Sequence, residues 1–225
     1  MPTHRHSNSG FTLIEVLLAL ALTATLLALL SSAVFLVASD WNRDSNTLDE
    51  QLDRSLALLQ IERALHGAFP HSWLDGESLT RLVYFQGGDE ALSWVSTVSP
   101  QRRPGLAAWR LFNDEDEGVV LQLAPAFTDN PQERLEAAEA SLLLPGYRAS
   151  FQYLYTELDD SRQWTAEWFG DERQELPLAV HVLLEPLPGH RQAEDGRVET
   201  REILARIRNN RHRSIQPNAA LQGLQ

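Results

Sequence analysis

From Phe11 to Ser39 the chain is apolar with one interruption, the carboxylate of Glu15, and Val16 to Ser39 carries no formal charge. At about 1.5 Å rise per residue, a helix of that length crosses a hydrocarbon core of roughly 30 Å. The pattern predicts a membrane-spanning segment over 11–39. An ionisable group at that depth is tolerated where it finds a partner, which makes Glu15 a candidate functional residue.

The helical pattern continues past the apolar run. No Gly or Pro occurs between Phe11 and His66, and Leu48, Leu52, Leu56 and Leu59 recur at three- and four-residue spacing. Glu50 precedes Arg54 by four residues, an exposed-face pair. Gly67 and Pro70 supply the stop. The leucine stripe needs a cover, and the expectation is that the C-terminal domain packs on it.

After Pro70 the period shortens. Leu79 to Phe85, Leu92 to Val98, Ala107 to Phe112, Val119 to Leu123, Tyr147 to Leu158, Leu178 to Leu184 and Arg197 to Arg208 read as strands between Gly, Pro and Asp clusters. Ile203, Ala205 and Ile207 alternate with Leu204, Arg206 and Arg208, so one face of the last strand is apolar. Pro131 to Ala140, rich in Glu and Ala, is a short helix or a surface loop. A long N-terminal helix laid on an antiparallel sheet is an α+β fold. The expected divisions are a leader at 1–10, a membrane segment at 11–39, the outer half of the helix at 40–67, a β-rich head at 68–215 and a flexible tail at 216–225.

Composition narrows the chemistry. The 225 residues suffice for one soluble domain beyond the span. The net charge of −12 argues against broad nucleic-acid binding. Without cysteine there is no thiol catalysis, zinc-thiolate centre or iron–sulfur site. All 19 basic residues are Arg, a bias attributable to genome composition. Before the apolar run the chain carries Arg5 between His4 and His6, with no acid, then Ser7, Ser9 and Gly10. A basic leader keeps the N-terminus cytoplasmic and sends the bulk of the chain across the membrane. A secretory signal cut near Ala38-Ser39 is the alternative.

Gly10-Phe11-Thr12-Leu13-Ile14-Glu15, after a short basic leader and before an apolar helix, resembles the prepilin peptidase motif of type IV pilins and of the pseudopilins of type II secretion. The resemblance implies a type IV pilin-like fold, cleavage between Gly10 and Phe11, and N-methylation of the new Phe11 amine. It also implies that Glu15 pairs with the Phe11 ammonium of a neighbouring subunit during assembly. Two opposite charges that meet in a low-dielectric core favour one axial register. Further along, Tyr147 to Tyr155, Trp164, Trp168 and Leu176-Pro177-Leu178-Ala179-Val180 are similar to the C-terminal pattern of J-type minor pseudopilins. That likeness implies a non-enzymatic inner-membrane subunit with a periplasmic head. Its partners would be the I, K and H minor pseudopilins, the major pseudopilin, the prepilin peptidase and secreted protein substrates. K-type subunits are larger and lack the glutamate, so this chain is unlike them. A minor pilin of a type IV pilus, serving adhesion, motility or DNA uptake, is the alternative within the machinery. A signal-anchored periplasmic enzyme is the alternative outside it.

Other motifs are weak. Asn113-Asp114-Glu115-Asp116-Glu117-Gly118 offers oxygen ligands, but aligning Gly118 to the calcium-loop glycine puts Ala124 where a bidentate Glu is required, so it reads as an acidic hairpin tip. Asp159-Asp160 reads as a loop. His66, His71, His181, His190 and His212 show no zinc spacing, and no nucleophile elbow occurs. Arg206, Arg208, Arg211 and Arg213 form the one basic concentration, read as a solvated strand face and a frayed end. The six Trp, at 41, 73, 94, 109, 164 and 168, read as packing aromatics, with Trp41 at the membrane interface. No cofactor, metal or catalytic residue is expected. Gly10→Val is expected to block maturation while leaving insertion intact. Intact-mass analysis in peptidase-positive cells reads this out, and a parent chain that is never shortened to Phe11 overturns it.

Overall fold

The computed structural model describes residues 12–76, 78–100, 104–157, 159–188 and 199–215; the side chains of 36–50 lie outside the description. The chain divides into two units, 1–53 and 54–225. Helix α1 runs Leu13–His66. In the first unit its Leu13–Phe35 stretch has mean hydropathy 2.5 and is long and apolar enough to cross a membrane. Three of its hydroxyls donate locally: Thr23 Oγ1 to the Leu20 carbonyl at 2.9 Å, Thr25 Oγ1 to Leu22 at 2.8 Å and Ser32 Oγ to Ala28 at 2.9 Å. Such back-bonding lets Ser and Thr sit in an apolar helix without unpaired donors.

The second unit is antiparallel sheet. A two-stranded ribbon joins β1 (Ser72–Leu74) to β2 (Arg81–Val83). The larger sheet contains β3 (Phe85–Gly87), β4 (Ala91–Ser96), β5 (Ala107–Asp114), β6 (Gly118–Pro125), β7 (Ala140–Pro145) and β10 (Trp168–Phe169) in the order β10-β3-β4-β5-β6-β7. The smaller sheet contains β8 (Tyr147–Thr156), β9 (Arg162–Thr165), β11 (Ala179–Pro186) and β12 (Arg201–Arg206) in the order β12-β11-β8-β9. Two short helices, α2 (Pro131–Glu136) and α3 (Gly170–Arg173), complete the unit. The architecture is α+β, an N-terminal apolar helix followed by an antiparallel β domain.

One apolar cluster joins both sheets to the last turns of α1. Ala57, Ile61, Ala64 and Leu65 are buried in it with Phe85, Trp94, Trp109, Phe151, Tyr153 and Val182. Trp94 stacks on Trp109 at 5.5 Å, and its indole N–H donates to the Ala64 carbonyl at 3.1 Å. The sheets are also tied by polar bonds. Asn113 Nδ2 donates to the Ala149 carbonyl at 2.9 Å while its Oδ1 accepts the Ala149 N–H at 2.8 Å. Tyr153 O–H reaches the Gly88 carbonyl at 2.8 Å, and its ring lies where a Cβ on Gly87 would be, so a glycine there permits the approach.

The leucine stripe faces the other way. Leu52, Leu56 and Leu59 are 59%, 53% and 39% exposed, and Leu48 lies outside the described side chains. The expected cover is therefore wrong for Leu56 and Leu59, while Leu52 belongs to the first unit. The covered face is Ala57-Ile61-Ala64-Leu65, whose small residues let the sheet side chains approach the helix backbone. The strands differ from expectation at one end of the domain. Leu79 to Phe85 is not one strand: Leu79 sits in a turn at φ 55°, β2 pairs with β1, and β3 belongs to the larger sheet. The strands β1, β7, β9 and β10 and the helix α3 have no counterpart in the sequence expectation. Between β6 and β7 the register slips at Val119/Val120, leaving Leu143 as the extra residue of a bulge. Leu158 and Arg197, expected strand ends, lie outside the described residues.

The two helix faces make a direct test. Ile61→Ala is expected to cost about 2–5 kcal/mol, as a buried aliphatic truncation, and Leu56→Ala within about 0.5 kcal/mol, as a surface change. Denaturant melts of the full chain in detergent check it; equal losses would place the leucines in the core after all.

Candidate assembly site at the helix N-terminus

Of the sequence-derived site residues, Gly10 and Phe11 lie outside the described residues. Glu15 is described. Its N–H donates to the Thr12 carbonyl at 3.0 Å, closing the first turn of α1. With the helix beginning at Leu13, Glu15 stands in the first turn, where the unpaired N–H groups give a partial positive charge that favours a carboxylate. Thr12 and Glu15 have the Thr-x-x-Glu spacing of a capping box.

Glu15 is exposed on the helix, and no ion pair to it occurs among the described residues. The chain has no basic side chain between Thr12 and Asn42. Val16, Ala19, Leu20 and Thr23 share the exposed helix face beside Glu15. Ala19 and Thr23, four and eight residues on, keep this face narrow, which admits close approach of a second helix. A reading weighted toward large apolar residues misses this face; its signal in the sequence is small residues in phase with Glu15.

The other residues considered sit in turns and strands of the second unit. Asn113 to Gly118 is the β5–β6 hairpin turn, in which Asp114 Oδ1 accepts the N–H groups of Asp116 at 3.0 Å and Glu117 at 2.9 Å. Among the described residues no group of three His, Cys, Asp or Glu side chains could hold a metal ion. Asp159 accepts the Ser161 N–H in the β8–β9 turn. Arg206 and Arg208 are exposed, whereas Arg211 pairs with Glu175 at 3.4 Å and the two residues form a β-bridge, so the segment after β12 is held rather than frayed. Trp94, Trp109 and Trp168 are buried, and Trp164 is exposed on β9. His190 and the side chain of Trp41 lie outside the described residues.

No curated protein matches the chain. The prokaryotic N-terminal methylation motif matches residues 5–31, a window containing Gly10, Phe11, Glu15 and the start of the apolar helix. The motif implies processing by the prepilin peptidase and assembly with other pilins, in a family that is generally non-enzymatic. The chain carries a prokaryotic N-terminal methylation motif, the prepilin signal of type IV pilin-like proteins, at the head of a membrane-length helix.

Proposed function

We propose that the protein is a J-type minor pseudopilin of type II secretion, anchored in the inner membrane with its head in the periplasm, where it joins the tip or initiation complex of the pseudopilus. The observation that carries this reading is the methylation motif opening a helix that continues unbroken to His66, with its last turns built into a β-rich head. The J assignment draws support from β8, an aromatic strand paired along its length with β11, and from Leu178, whose N–H bonds to the Leu154 carbonyl as the chain enters β11. The exposed Leu52, Leu56 and Leu59 suit helix-to-helix packing with the other minor and major subunits. In this reading the prepilin peptidase cuts between Gly10 and Phe11, the Phe11 amine is methylated, and Glu15 of one subunit meets the Phe11 amine of the next. The head is a recognition surface, not an enzyme.

Glu15 provides the test. Glu15→Gln keeps the shape and removes the charge, and Glu15→Leu inserts at least as readily because no acid is buried. Both variants are expected to be cleaved normally, to co-purify weakly with the other pseudopilins and to reduce secretion. Undiminished assembly and secretion by Glu15→Leu would exclude Glu15 as the partner of the Phe11 amine. Loss of piliation or DNA uptake with secretion intact would move the protein to a type IV pilus.

A further inference from the structure

The smaller sheet turns one face to the main cluster, through Phe151, Val180, Val182 and Ile203 among others. By strand alternation the residues between these point the other way. Leu154, Leu183, Leu204 and Trp164 lie on that outer face and belong to neither apolar cluster. Leu204 is 60% exposed and Trp164 is exposed beside it, so the outer face meets solvent with large apolar groups.

The register lays this face out in rows. Across β8, β11 and β12 they read Leu154–Ala179–Arg206, Gln152–His181–Leu204 and Ser150–Leu183–Glu202. Trp164 of β9 stands beside Leu154, and its ring lies 6.0 Å from the His181 imidazole. The middle of the face is apolar, with a cation at one end of β12 and an anion at the other. Among the described residues Arg206 makes no ion pair, and Glu202 has His181 Nε2 at 3.7 Å. Ala179, 2% exposed, is the floor of a dip between Leu154 and Arg206.

We propose that this face is a contact between two copies of the chain, packed outer face to outer face about a two-fold axis that runs across the strands along the Gln152–His181–Leu204 row. Such an axis reverses strand direction and lays the first row of one copy on the third row of the other. Arg206 of one copy then meets Glu202 of the other, Leu183 enters the dip over Ala179, and Leu154 lies over Ser150. Opposite charges meet, and a large side chain faces a small one at both remaining positions; symmetry makes each contact twice. The middle row meets itself, Leu204 against Leu204. One row further out, Thr156 falls over Arg148, whose guanidinium is engaged by Glu90, so like charges are not brought together. An axis running along β11 would instead set Ala179 and Leu183 each on itself and leave Arg206 and Glu202 over the neutral Leu154 and Ser150. Four strands about 4.8 Å apart give a face at the small end for association, so the contact is weak and reversible. The inference concerns the head alone and does not rest on the assignment to secretion.

The experiment is cross-linking of the purified full chain in detergent. The sequence has no cysteine, so one introduced thiol reports on one position. Gln152→Cys places it on the axis at the rim of the apolar centre, where a short bismaleimide can bridge two copies across the roughly 10 Å between packed sheets. It is expected to form dimer several-fold faster than Glu115→Cys, whose thiol sits on the exposed β5–β6 turn. Added to Gln152→Cys, Arg206→Glu and Glu202→Arg are each expected to slow dimer formation about three- to tenfold, since each sets two like-charged pairs across the contact. The two reversals together are expected to restore the rate, because the exchanged charges again meet as opposites. A rate at position 152 no higher than at 115, single reversals without effect, or a double reversal no faster than the single ones overturns the proposal.

Discussion

Trp94 carries the junction on which the head depends. Its ring stacks on Trp109 inside the main cluster while its N–H satisfies the Ala64 carbonyl, one of the last carbonyls of α1. A helix end buried against sheet must find donors for those carbonyls or lose the benefit of burial. The indole supplies both an apolar body and the donor. His66 adds a second tie, its Nδ1 lying 2.9 Å from the Arg206 carbonyl at the end of β12. The helix terminus is thus pinned to both sheets, by an indole that reaches it from β4 and by its own last histidine reaching β12.

Much of the fold was legible where periodicity was long. The apolar run predicted a membrane-length helix, and Gly10 to Glu15 fall inside the window that matches the methylation motif; charge within an apolar run is costly and conspicuous. β12 was visible through its alternation, and buried Ile203, Ala205 and Ile207 lie on the apolar face that the pattern gave them. Short strands were not visible. β9 is Arg-Gln-Trp-Thr and β10 two residues, so their pairing with β8 and β3 comes from the sheet and not from local preference. β7 was hidden by the Glu- and Ala-rich run before it.

The leucine stripe shows why size misleads. Four large residues at helical spacing suggested the core face, yet Ala57 and Ala64 mark it, since a helix can lie close to a sheet only where its side chains are short. Ile61 and Leu65 fill the space between them. The same bias toward large groups hid Ala19 and Thr23 beside Glu15. In both places the informative residues were the small ones.

The bulge at Leu143 has a consequence beyond local geometry. β7 terminates the order of the larger sheet, and its outer backbone could template the strand of any molecule alongside it. The extra residue twists that edge and Pro145 removes a donor from it. A second molecule lying beside this edge meets a twisted strand short of a donor, a poor template for extending the sheet and hence for aggregation.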